Sequence, residues 1–266
     1  MYKILILAAV QGIAEFLPIS SSGHLVILGA LLAELSASVR ELGESPTLEI
    51  TLHAGTLGSI LVVYWKRILK LLTSDRRVLP LLVWGTIPVV VVGLTIKSQF
   101  PTLLMNPSLA AAMLLVTGSM LVVLGRLSSR EGYYTELNWR AAMIIGCFQA
   151  FAILPGVSRS GSTILGGRLL GLKNDDSVTF SFLLAIPAIL GASLLAVRDI
   201  WEQARAGETL EFSFNELAIG TSVSFLVGIA ALTWLIGWSR KDRLHWFAYW
   251  CFPAGIWALY HFSGSP

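Results

Sequence analysis

The chain has 266 residues, of which 55% are hydrophobic and only 13% charged, and its mean hydropathy is +0.73. An ordinary soluble domain carries about 25% charged residues, so this composition excludes a soluble globular enzyme, a disordered tail and a disulfide scaffold. The formal net charge is only +3, and no Lys/Arg stripe is interleaved with aromatics, so nucleic acid is not an expected partner.

Lys3 and the apolar run Ile4–Val10 resemble the start of a signal peptide, but the run continues into Gln11 and Glu15 without a cleavage site, so no cleavage is expected. The first apolar region is broken. Ile4–Leu17 is followed by the polar stretch Pro18 to His24, then by Leu25–Ala33. Three unbroken stretches follow, Leu48–Trp65, Leu79–Ile96 and Leu109–Gly125. The pattern then recurs. Ala141–Leu154 leads into Pro155-Gly156-Val157-Ser158-Arg159-Ser160-Gly161-Ser162 and returns as Thr163–Leu172, before Val178–Val197, Leu217–Trp238 and Leu244–Phe262. Cys147 and Cys251 both lie inside apolar runs, so neither a disulfide framework nor a zinc site is expected.

A span needs about 20 apolar residues. The six unbroken stretches fit, whereas no half of a broken region crosses a ~30 Å core at ~1.5 Å per residue. The expected fold is all-α and polytopic, with six transmembrane helices plus two re-entrant hairpins. Pro18 and Pro155 are 137 residues apart, Gly85 and Gly220 135 apart, and Gly118 and Gly255 137 apart. One common offset, in one common order, points to an internal duplication within a single membrane domain, 1–130 and 131–266. A hairpin returns to its own side and three spans invert the chain, so the repeats should have opposite topology.

Loop charge orients the chain. Lys66, Arg67, Lys70, Arg76 and Arg77 follow the first span, Arg126, Arg130 and Arg140 the third, and Arg240, Lys241 and Arg243 the fifth. Inverted topology puts all three loops on one side, which the positive-inside rule makes cytoplasmic. The other side receives Glu34, Glu41, Glu44 and Glu49, then Asp199, Glu202, Glu208, Glu211 and Glu216. Both termini then lie outside, and the two polar tips should meet near the midplane.

Gln11 and Glu15, four apart, share a helix face. Pro18 stops that helix, and the tip offers Ser20, Ser21, Ser22 and His24, with Gly23 for backbone freedom. Serines at a helix start also serve as caps. A carboxylate at membrane depth costs about 2.5–3.5 kcal/mol or more and is functional by default, which singles out Glu15. The second tip sets Arg159 between Ser158 and Ser160, with Gly156, Gly161 and Thr163 around it. Helix N–H groups, hydroxyls and a guanidinium make an anion site, and arginine grips phosphate bidentately. The alternative for Arg159 is a pair with Glu15 that joins the repeats. Arg168 either snorkels or faces the same cavity. A basic cradle beside a carboxylate, a histidine and serines suits phosphoryl chemistry on a substrate with an apolar tail.

Gln11-Gly-Ile-Ala-Glu15-Phe-Leu-Pro-Ile-Ser-Ser-Ser-Gly-His24 resembles the first motif of the undecaprenyl-diphosphate phosphatase (bacitracin-resistance protein) family. Pro155-Gly-Val-Ser-Arg-Ser-Gly-Ser-Thr163 resembles its second, and Leu52-His53-Ala-Gly55-Thr56-Leu57 and Phe180–Pro187 resemble family segments between and after them. The resemblance implies hydrolysis of the lipid diphosphate left by cell-wall polymerisation, a divalent cation (Mg²⁺ or Ca²⁺), inverted repeats and the bacterial inner membrane. It implies Glu15 as the metal-linked carboxylate, with Gln11 beside it, Ser21 as nucleophile and His24 as an essential partner. It assigns the diphosphate to Arg159, Ser158 and Thr163, and Ser20, Gly156 and Ser160 complete the expected binding set. Most members carry Glu where this chain has Gln11, Ser22 replaces a common Thr, and His53 occurs in only some members. Ser21, His24 and a directly attacking water remain alternatives for the nucleophile. A homodimer is carried as an expectation.

Three other readings compete with this one. A secondary transporter or lipid flippase shares the inverted-repeat pattern. Ser22-Gly23-His24 superficially matches a motif of the type-2 phosphatidic acid phosphatases, but the Lys-containing motif and second His of that family are missing. A structural membrane protein would leave the paired motifs to coincidence.

Overall fold

The computed structural model describes residues 2–35, 46–128, 130–205 and 212–263. Eleven α-helices lie among them. The first half holds α1 (Tyr2–Ala14), α2 (Ser21–Leu35), α3 (Pro46–Val63), α4 (Trp65–Leu72), α5 (Val78–Gln99) and α6 (Pro107–Arg126). The second holds α7 (Trp139–Phe151), α8 (Arg159–Leu169), α9 (Asn174–Arg205), α10 (Phe214–Ser239) and α11 (Ala248–Ser263). No strand occurs among the described residues, only an isolated bridge between Gly132 and Leu172.

The helix starts follow local chemistry. Asn106 caps α6, which has Pro107 at its first position, and Asn138 caps α7. Ser213 and Glu216 form a reciprocal capping box on α10. Each broken region folds as two short helices joined by a tight turn, α1 with α2 and α7 with α8.

Among the described residues, four helical stretches are long and apolar enough to cross a bilayer: α5, α6, Asn174–Leu195 within α9, and α10. The other two expected spans are shorter. The stretch Leu48–Trp65 forms α3, which ends at Val63, and α4 starts anew after the break at Tyr64. The stretch Leu244–Phe262 opens as a 3₁₀ turn, Leu244–Phe247, and leaves 16 residues to α11. The fourth expected span, in turn, is only part of the 32-residue α9, about 48 Å long at ~1.5 Å per residue.

Packing crosses between the halves. The first short helix of each half lies on the long helix of the other, α1 on α10 and α7 on α5. Likewise α3 packs on α10 and α9 on α5, while α6 packs against α11. The largest core cluster includes Phe16, Ile60, Tyr64, Leu121, Phe182 and Leu232 and draws from both halves. The basic loops gather at one end. Arg77 donates to the Leu137 carbonyl at 3.1 Å, and Lys66, Arg67, Lys173 and Arg240 line one cavity of about 460 Å³. Of the acids expected at the opposite end, Glu41, Glu44, Glu208 and Glu211 lie outside the described residues, as do the side chains of Glu34, Glu49 and Asp199.

Candidate functional site

The two tips touch backbone to backbone. A Cβ on Gly23 would stand 2.6 Å from Gly156 Cα and 2.8 Å from its nitrogen. Gly23 is therefore a close-approach glycine. The unusual backbone at this tip belongs to Ser20, at φ +70°, where freedom had been expected from Gly23. Gly156, at φ +95°, is pressed against the Ala110 carbonyl of α6, so both its conformation and its surroundings demand glycine.

At this junction Glu15, just past the end of α1, accepts from three side chains and has a fourth close by. Arg159 Nη2, from the first residue of α8, donates to Glu15 Oε1 at 2.9 Å. Ser21 Oγ, from the start of α2, donates to Oε2 at 2.9 Å. Gln11 Nε2, one turn back on α1, donates to the same oxygen at 3.1 Å. His53 Nε2 of α3 lies 3.6 Å from it. Gln11 Nε2 is also 3.2 Å from His53 Nε2, and since an amide nitrogen only donates, the imidazole nitrogen accepts there. Reversing the Gln11 amide would set two acceptors face to face, which fixes its orientation.

Two buried atoms of the cluster have no protein partner, Gln11 Oε1 and Arg159 Nη1. One is an acceptor and one a cationic donor. The second suits an anion, because arginine can hold a carboxylate through one nitrogen and a phosphate through the other. Phe182 of α9 backs the guanidinium, with Cζ 5.7 Å from the ring centre.

Other expected residues shape the tips. Ser158 caps α8 by accepting from Gly161 N at 3.1 Å, and its Oγ is 3.2 Å from that of Ser160. Thr163 Oγ1 lies 2.6 Å from Ser181 Oγ and donates back to the Arg159 carbonyl at 2.9 Å. Ser20 Oγ accepts from Gly23 N at 3.2 Å. All four hydroxyl residues are 3% exposed or less, so their side chains are engaged inside the tips. At the start of α8, the Ser158 cap takes the Gly161 N–H, and a helix start of this kind favours anions.

His24 stands apart from this cluster. Its Nδ1 is 2.7 Å from the Ser20 carbonyl oxygen, and its Nε2 accepts from the Trp250 indole at 2.8 Å. Arg168 is 2% exposed and donates to the carbonyls of Leu127, Ser128 and Leu172, tying α8 to the end of α6 rather than serving the Glu15 site.

Three contributors were missed or underrated in the sequence. His53 was visible but stands 38 residues from Glu15 inside an expected span. Thr117 of α6, 1% exposed, accepts from Ser158 N at 3.0 Å and donates to the Gly156 carbonyl at 2.7 Å, clamping the second tip. Trp250 looked like one aromatic among nine tryptophans. No sequence spacing signals the last two, because both act across the halves.

Comparison with known proteins bears on this geometry. A profile described as Bacitracin resistance protein BacA matches residues 4–257. The chain is similar to proteins named undecaprenyl-diphosphatase from Rhodopirellula baltica, at 67% identity over 96% of both chains, and from Halothermothrix orenii, at 35% over 96% of both. A third, from Corynebacterium efficiens, is 37% identical over 95% of this chain and 87% of its own.

Proposed function

The chain belongs to the bacitracin resistance protein family, and from that premise we propose that it hydrolyses undecaprenyl diphosphate to undecaprenyl phosphate and inorganic phosphate. It is a multi-pass membrane protein and a hydrolase. The observation that carries the chemistry is the Ser21 hydroxyl, donating at 2.9 Å to a carboxylate that Arg159 holds in place.

In the proposed reaction, Arg159 Nη1 and the first N–H groups of α8 bind the terminal phosphate. Ser21 Oγ attacks the terminal phosphorus while its proton passes to Glu15 Oε2. The bond from phosphorus to the bridging oxygen breaks, and undecaprenyl phosphate leaves with the electron pair and the proton from Glu15. Water then attacks the phosphoserine. Glu15 takes the water's proton and returns it to Ser21 as phosphate departs. Positioning and charge stabilisation dominate such a transfer. Ser21 is favoured over His24 as nucleophile because the His24 Nε2 lone pair is engaged by Trp250.

The donor set fits a divalent cation in part. Gln11 Oε1 is a buried oxygen without a protein partner, and Glu15 supplies a carboxylate. No group of three or more His, Cys, Asp or Glu side chains able to hold a metal occurs among the described residues. Mg²⁺ is commonly held by one or two protein oxygens together with substrate phosphates. Gln11 and Glu15 would hold the ion in that manner, and it would neutralise diphosphate charge.

The reading extends to topology. α1–α2 and α7–α8 are re-entrant hairpins, and α3, α5, α6, α9, α10 and α11 are the spans of two inverted repeats. The crossed packing of α1 on α10 and α7 on α5 supports this. Two of the basic loops line one cavity and the third is tied to the first by Arg77, which supports a cytoplasmic placement of that end in the bacterial cell membrane, with both termini outside. No feature of the site favours a transporter.

The test is phosphate release from undecaprenyl diphosphate by purified protein with Mg²⁺, Ca²⁺ or EDTA, followed by parallel quenches in acid, which preserves phosphoserine, and in alkali, which preserves phosphohistidine. Cation-dependent release with phosphate trapped on Ser21 supports the scheme. Trapping on His24 transfers the nucleophile's role to that residue. A folded protein that releases no phosphate with any cation overturns it.

A further inference from the structure

The Trp250–His24 contact lies outside the reacting cluster and joins opposite ends of the chain. The indole N–H can only donate, so His24 Nε2 must present its lone pair, at 2.8 Å. The ring proton is therefore on Nδ1, which donates to the Ser20 carbonyl at 2.7 Å. The two rings lie nearly parallel, 13° apart with centres 6.1 Å apart, so the indole fixes the imidazole plane as well as its tautomer. Next along α11, Cys251 Sγ is 4.0 Å from the Pro18 carbonyl oxygen, so the same helix meets the tip twice.

Ser20 is where that hold matters. It sits at φ +70°, a conformation that a residue with a Cβ adopts reluctantly. Its carbonyl also accepts from the His24 backbone N–H at 3.3 Å, and its Oγ from Gly23 N at 3.2 Å. The next residue is Ser21, whose Oγ meets Glu15. We propose that Trp250 is a positioning residue: by fixing His24 as the Nδ1–H tautomer it pins the Ser20 carbonyl and so aims the Ser21 hydroxyl at Glu15. The third span of the second half thus clamps the first tip, as Thr117 of α6 clamps the second. His24 serves here as a link in the scaffold, with Trp250 as its anchor.

The test rests on the phosphatase reading for its kinetic arm only. In protein labelled with ¹⁵N-histidine, the ring-nitrogen shifts distinguish protonated from bare positions, and His24→Gln identifies the His24 signals among the four histidines. The expected wild-type signature is Nδ1–H with a bare Nε2. Trp250→Phe keeps an aromatic ring but removes the donor. It should abolish that signature and lower kcat about tenfold with KM changed less than about twofold, because the diphosphate contacts are untouched. Trp250→Tyr, which offers a hydroxyl donor, should recover part of both. A wild-type His24 protonated on Nε2 overturns the proposal whatever Trp250→Phe does, so a poorly folding Trp250→Phe does not shield it. An unchanged signature and kcat in a folded Trp250→Phe also overturn it. A wild type that releases no phosphate but shows the Nδ1–H signature counts against the phosphatase reading and upholds the tautomer.

Discussion

Arg159 and Glu15 are 144 residues apart in sequence and 2.9 Å apart in space, one from each half of the molecule. The pair joins the tips, and it leaves Nη1 buried and unbonded, free for the phosphate contact proposed for it. Lysine donates from a single point and cannot hold Glu15 and a phosphate on two separate nitrogens as the guanidinium fork can. Arg159→Lys should therefore keep the fold but lower phosphate release by about 10²–10³, the scale of losing one stabilising donor. The exchanged double variant Glu15→Arg/Arg159→Glu separates the roles. It should recover thermal stability relative to the single variants, and recover no activity. Restored phosphate release in the double variant would reduce the pair to a structural tie.

A second expectation concerns Gln11. Its Nε2 donates to Glu15, and its Oε1 is left over. Gln11→Glu removes the donor and sets two carboxylates side by side, a like-charge pair that a divalent cation would relieve. The variant should melt lower than wild type in EDTA and gain more from added Mg²⁺ or Ca²⁺. Thermal unfolding with and without cation checks this apart from turnover. Equal cation shifts in both proteins would place the ion elsewhere.

The division into legible and illegible parts follows from range. Gln11, Glu15 and Ser21 fall within one local motif, and helix periodicity alone puts Gln11 over Glu15. Two similar breaks, one in each half, lead to the expectation that the tips meet. Apolar length overstated α3 and α11, because Tyr64 and the turn Leu244–Phe247 break the backbone without a polar signal. The hydroxyls of Ser158, Ser160 and Thr163 carry the composition of an anion cradle, yet they satisfy helix starts and each other. His53, Thr117 and Trp250 reach the tips only through helix packing, which no local spacing encodes.

Thr117 offers a stability test. Its hydroxyl accepts from Ser158 N and donates to the Gly156 carbonyl, both buried. Thr117→Val keeps the shape but leaves an N–H and a carbonyl unpaired, at about 1–3 kcal/mol for each unsatisfied group. Melting temperature and phosphate release should fall together, since Ser158 begins the helix that carries Arg159. Thr117→Ser retains the hydroxyl and should hold both near wild type. A silent Thr117→Val would mean that the second tip needs no clamp from α6.

The last expectation tests whether contact between the tips sets the spacing of Glu15 and Arg159. At Gly23 an added methyl would meet Gly156 Cα at 2.6 Å and its nitrogen at 2.8 Å, both backbone atoms that no rotamer change can withdraw. The tips must then separate by a fraction of an ångström to about 1 Å, and displacement on that scale costs about 10² in rate when reacting groups are pre-aligned. Gly29 lies on the same helix, α2, and a Cβ there meets nothing within 4 Å. Gly23→Ala should therefore lose about two orders of magnitude in phosphate release, whereas Gly29→Ala, with the same change in helix propensity, should match wild type or melt slightly higher. A loss common to both would trace to the helix as a whole, and no loss in Gly23→Ala would mean that the tips are not held in register by this contact.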